Sequence, residues 1–166
     1  MKILIPLAIA AAMVVSTTSA AQQLHEGHHA APTVIEWSKA TSEKLQRNLR
    51  ALLTVPRSRE TLPQGLVVVR FNCSDNGAPS AMTFSRRSNS SSLNRLAMRT
   101  VVRLKNMHPL PEGIKEGQVY EAVISLASDE EQADRQMLDY QRTLASRSGK
   151  HEVLALVVTS TSPKNL

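Results

Sequence analysis

Hydrophobic positions along this chain alternate between a helical period and a two-residue period. Thr33 and Glu36 have the spacing of a capping box. Trp37, Thr41, Leu45, Leu49, Leu52 and Leu53 then recur at helical steps. Pro56 ends that helix, because the residue before a proline is pushed out of the helical region. From Gly65 the period drops to two. Val67, Val69, Phe71 and Cys73 share one face, and Leu66, Val68, Arg70 and Asn72 share the other. Asn76-Gly77 tolerates the positive φ of a tight hairpin turn. A second strand, Ala78 to Ser85, therefore returns with Met82 and Phe84 on one face. Pro79 cannot donate to a ladder, which places this strand at an edge. Ser88 to Ser92 offer a polar cap. Leu93, Leu96, Ala97, Thr100, Val101 and Leu104 then resume the helical period, on a helix that should lie on the apolar face of the sheet. Pro109 and Pro111 stop it, Gly113 and Gly117 mark a turn, and Tyr120, Ala122, Ile124 and Leu126 share one face of a third strand.

A second pair of elements follows. Ser128 caps Asp129-Glu130-Glu131, acidic residues that suit the positive end of a helix. Ala133, Met137, Tyr140 and Leu144 form a thin stripe, Gly149 breaks it, and Val153 to Val158 reads as a strand apolar on both faces. The pattern predicts an α+β fold. Its centre is a three-stranded antiparallel sheet, in the order strand, hairpin, helix, strand, packed by two helices. An extra C-terminal helix and strand follow, and extension of the sheet by them is one of the arrangements open to the chain. A strand-helix-strand crossover would lay Val153–Val158 parallel to the third strand. The alternatives are a last strand that pairs elsewhere and a loosely ordered tail.

The first residues read as an address rather than as fold. Lys2 supplies the positive end, Ile3–Val15 an apolar run of 13 residues, and Ser16 to Ala20 a cleavage region of small side chains. A membrane span needs about 20 apolar residues. The expectation is a secretory signal peptide over 1–20, export to the periplasm, and no stable transmembrane span. Residues 21–34 form a His-containing leader expected to be disordered. Residues 35–128 form the main domain and 129–166 the helix-strand extension.

Composition narrows the chemistry. The net charge of +6 fits a chain that meets anionic surfaces. Aromatic residues are 3% of the chain, too few for base-stacking platforms, and export separates it from nucleic acid, so no nucleic-acid partner is expected. Cys73 is the one cysteine, so no intramolecular disulfide forms. Its place on an apolar strand face predicts a buried, inert thiol. His25, His28 and His29 sit in His-Glu-Gly-His-His and could ligate Zn, Cu or Ni, with Glu26 adding an oxygen. This is the alternative reading, a small periplasmic metal-binding protein; a solvated leader is the simpler account. Arg95, Arg99 and Arg103 recur every four residues opposite the apolar stripe. They form either a ridge for phosphate or lipid groups or a solvated helix face. His108 reads as a structural or solvated loop residue. No nucleophile elbow, carboxylate–His pairing or phosphate loop is visible. Neither an enzyme nor a cofactor is expected.

From Trp37 to Leu126 the chain resembles the TonB C-terminal domain family, whose outline TolA-type domains share. The resemblance rests on Pro56 nine residues before Gly65, on the Gly65 strand, on the hairpin glycine of Asn76-Gly77, and on the Leu93–Leu104 helix. It continues through Pro109-Leu110-Pro111-Glu112-Gly113 and the Tyr120–Leu126 strand. The resemblance implies a protein-binding module that works by strand addition. In such domains the last strand offers its edge to a partner peptide. Here that edge would be Val119, Tyr120, Glu121, Ala122, Val123, Ile124, Ser125 and Leu126. The implied partner is an envelope protein or an outer-membrane receptor peptide, with homodimers by strand exchange as a variant. The long Pro-rich spacer and firm anchor of the family's energy transducers are missing. The implied role is therefore binding or transport accessory work rather than energy transduction alone. If Val153–Val158 pairs with the third strand, the chain itself fills the edge.

Overall fold

The computed structural model describes residues 31–54, 62–115, 117–147 and 153–161. The signal segment, the leader with His25, His28 and His29, Pro56 and Gly149 lie outside these residues. Seven elements follow in order: α1 (Val34–Leu53), β1 (Gly65–Cys73), β2 (Pro79–Arg86), α2 (Ser91–Val102), β3 (Val119–Ala127), α3 (Glu130–Arg147) and β4 (Val153–Thr161). The capping box forms as expected. The Thr33 hydroxyl accepts from the Glu36 backbone N–H, and the Glu36 carboxylate accepts from the Thr33 backbone N–H. The helix thus starts at Val34, and the expected boundary between residues 34 and 35 falls inside its first turn.

The sheet has four strands in the order β2-β1-β3-β4, not three. β1 pairs antiparallel with β2 and β3, and β3 pairs parallel with β4, so the sheet is mixed. The α3 crossover makes the parallel pair possible, since a tight turn cannot join parallel strands.

Each face of the sheet carries its own core. On one side α1 and α2 bury Trp37, Leu45, Leu49, Leu93, Leu96 and Val101 against Val67, Val69, Phe71, Tyr120, Ile124, Leu156 and Val158. On the other, α3 lays Tyr140, Met137 and Leu144 over Leu66, Val68 and Val123. The alternation in β1 thus supplies two apolar faces, and both are used. Tyr120 joins the first core through Trp37 and Phe71, with ring centroids 5.3 and 5.5 Å away. The Trp37 indole N–H donates to the Met107 carbonyl at 2.7 Å and pins the loop after α2 to α1. That loop also grips the hairpin tip, where the Met107 N–H donates to the Gly77 carbonyl. Gly77 is needed there. Its φ is +73°, and a Cβ would come within 2.9 Å of the His108 ring and 3.1 Å of the Met107 nitrogen.

Candidate functional site

β3 is an interior strand. Gly65↔Leu126 through Asn72↔Val119 pair it with β1, and Val119↔Val153 through Ala127↔Thr161 pair it with β4. Val119, Tyr120, Glu121, Ala122, Val123, Ile124, Ser125 and Leu126 therefore offer no free edge. This corrects the expectation drawn from the resemblance. The cause lies in the extension: β4 takes the place where an added strand would lie, and buries Leu156 and Val158 in the core. Burying two such side chains stabilises by about 1.5–3 kcal/mol each, so the chain's own strand holds that place firmly.

The sheet edges are instead β2 and β4, and they differ. β2 starts at Pro79, carries Ala81 at a φ of 49°, and shifts register twice against β1. These are features that blunt an edge against further pairing. β4 pairs with β3 over nine residues with no register break. Its sequence, Val-Leu-Ala-Leu-Val-Val-Thr-Ser-Thr, holds no charge, proline or glycine. Val157 is 41% exposed on it. Among the described residues no strand lies beyond β4; the Gln46 side chain reaches its Thr159 carbonyl at 3.4 Å. Two hollows flank its ends. One of about 220 Å³ is lined by Val34, Ile114, Val153 and Leu154 among others. The other, about 180 Å³ and mostly apolar, is lined by Leu53, Leu62, Leu126 and Thr161 among others.

A polar cluster under α3 was not foreseen. Glu121 is 1% exposed, and its carboxylate accepts from Arg70 at 3.1 Å, from the Ser85 hydroxyl at 2.7 Å and from the Tyr140 hydroxyl at 3.1 Å. Arg147 stands 3.8 Å away. The donors come from β1, β2 and α3, so the carboxylate ties α3 and β2 to the central strands. Burial, then the Glu121 charge, pushes the Tyr140 hydroxyl well above its ordinary range. A signal existed in the sequence: Glu121 is the one charge in the Val119–Leu126 run, on the face opposite Tyr120.

Cys73 and His108 also meet, with Sγ 3.6 Å from Nε2. Nε2 lies 3.1 Å from the Ser74 carbonyl, which can only accept, so this nitrogen carries its hydrogen towards it. It is then unable to take the thiol proton. Burial, and next the Asp75 charge, raises the Cys73 thiol further above neutrality. The pair is not arranged as nucleophile and base. Cys73 is half-buried rather than fully enclosed.

Arg95, Arg99 and Arg103 are exposed, on the side of α2 away from the sheet. Among the described residues no group of three or more His, Cys, Asp or Glu converges to hold a metal ion. No described helix is long and apolar enough to cross a membrane.

Comparison of the chain with family profiles, with curated proteins and with solved structures finds no match.

Proposed function

We propose that this chain is an exported protein-interaction module of TonB C-terminal-like build that works in the periplasm. It binds an envelope protein or an outer-membrane receptor peptide by strand addition, and the docking edge is the outer side of β4. One observation carries the reading: β4 is a nine-residue, regular, chargeless edge strand, while the opposite edge is blunted by proline and register shifts. Exposed edges of this kind pair with other chains unless something protects them. Backbone groups supply the affinity in strand addition, and pockets beside the strand supply selectivity. The hollows at Leu154 and Thr161 suit that second role.

The test is a double variant, Val157→Lys with Thr159→Lys. Both positions are exposed, so the fold should persist, while edge lysines disfavour pairing. Wild-type protein should retain an envelope protein from an outer-membrane extract and gain amide-exchange protection over 153–161. The variant should lose at least about tenfold in affinity, the scale of 1.4 kcal/mol. Equal capture by both proteins, or capture that leaves 153–161 unprotected, would overturn the reading. A second copy carries the same chargeless edge, and sedimentation at rising concentration separates self-pairing from capture of a partner.

A further inference from the structure

The ion pairs among the described residues are distributed unevenly. Arg70–Glu121, Arg147–Glu121, Arg86–Asp139 and Arg135–Glu131 all lie on the α3 side of the sheet. The layer of α1 and α2 on the other side has no ion pair among the described residues. Its exposed cations are Lys39, Arg47 and Arg50 on α1, Arg95 and Arg99 on α2 and Arg103 at the α2 C-cap, facing only Glu36 and Glu43. Glu36 is already engaged by Thr33, whose backbone and hydroxyl hydrogen bonds hold its carboxyl below the ordinary value. The two helices pack side by side, with Asn48 reaching the Thr100 carbonyl, so their outer faces form one surface. The α3 side carries Asp129, Glu130, Glu131, Asp134 and Asp139, set against Arg135, Arg142 and Arg147 on the helix and Arg70 and Arg86 from the sheet. The molecule is therefore strongly basic on one broad face and close to charge balance on the other.

We infer that the outer face of α1 and α2 docks on an anionic lipid surface. Arg95, Arg99 and Arg103 stand at four-residue steps, about 6 Å apart along the axis. A row of that kind does not converge on one phosphate, but it matches a surface presenting many. Two apolar side chains stand free on the same layer: Val102, 51% exposed beside Arg99 and Arg103, and Ile35, 79% exposed at the start of α1. Cations with a few apolar side chains among them are what interfacial helices present to headgroups. The layer's one aromatic residue, Trp37, is buried, so nothing there stacks on nucleic-acid bases. The α3 side, where arginines and carboxylates nearly balance, offers no comparable excess of positive charge, so the α1 and α2 layer is the side that docks. The surface is separate from the β4 edge, so lipid docking does not depend on strand addition.

Flotation with vesicles tests it. The full folded protein is mixed with phosphatidylcholine vesicles, or with vesicles rich in phosphatidylglycerol, at low salt and at about 0.5 M salt, where the screening length falls to a few ångströms. Binding should appear only with the anionic vesicles and vanish at high salt. Arg95→Glu with Arg99→Glu should weaken it at least about tenfold. Arg135→Glu with Arg142→Glu changes the net charge equally on the α3 side and should weaken it by less than about twofold. Circular dichroism confirms that both variants fold. Three outcomes would overturn the inference: no binding to anionic vesicles, an equal loss in both variants, or equal binding to a DNA duplex at the same salt.

Discussion

Replacing Glu121 by Ala leaves two arginines, a tyrosine and a serine without their shared acceptor. Arg70 and Arg147 are each 41% exposed and recover water, whereas the Tyr140 hydroxyl is buried with its residue. The expected loss is about 2–4 kcal/mol, below the full cost of stranding a buried charge. Urea unfolding measures it. Tyr120 is the opposite case. Its hydroxyl is buried with no hydrogen-bond partner, so Tyr120→Phe should leave stability unchanged or raise it by up to about 1 kcal/mol at neutral pH. Burial, then the Cys73 charge, raises the Tyr120 hydroxyl from an ordinary value of 10.0 to about 12. The unfolded chain loses this proton first, so the folded state's advantage is complete below pH 10 and drains away between pH 10 and 12. Tyr140 is raised too and acts in the same direction. The chain's two tyrosines are both buried, so tyrosinate absorbance should appear together with unfolding. Tyr120→Phe should make the alkaline fall shallower; an unchanged slope would contradict the assignment.

At the scale of elements, β3 governs the sheet. Val123 pairs with Val68 on one side and Val157 on the other. Proline there removes a ladder hydrogen bond and crowds its neighbours, so Val123→Pro should abolish cooperative unfolding rather than block a partner selectively. A folded Val123→Pro variant, seen by circular dichroism, would contradict the two-sided pairing. Most elements were legible. The stripes of α1 and α2, the alternation of β1, the hairpin at Asn76-Gly77 and the edge position of β2 follow from local period and turn chemistry. β4 was legible as a strand. Its apolar residues indicated burial on both faces, yet Val157 is 41% exposed because β4 ends the sheet. Strand position in a sheet is a tertiary property, which no local pattern encodes.

At the scale of the whole molecule, the two proposed contacts use different surfaces. The α1 and α2 layer covers one face of the sheet, while the outer edge of β4 lies at its side. A protein held on lipid by the basic layer would keep β4 open. The double variant Val157→Lys with Thr159→Lys should therefore still float with anionic vesicles, and Arg95→Glu with Arg99→Glu should still capture a partner. The Glu121 cluster was only half legible, because Arg70, Ser85, Tyr140 and Arg147 stand far apart in sequence and meet only when α3 folds over the sheet. Sequence alone determined the α+β class, the element order, the hairpin and the basic face of α2, since each depends on spacing within a few residues. Tertiary structure alone decided that β3 is closed on both sides, that β4 is the open edge, and that α1 and α2 join their cations into one surface. Those facts depend on which elements become neighbours, and that choice is made by burying both faces of the sheet at once.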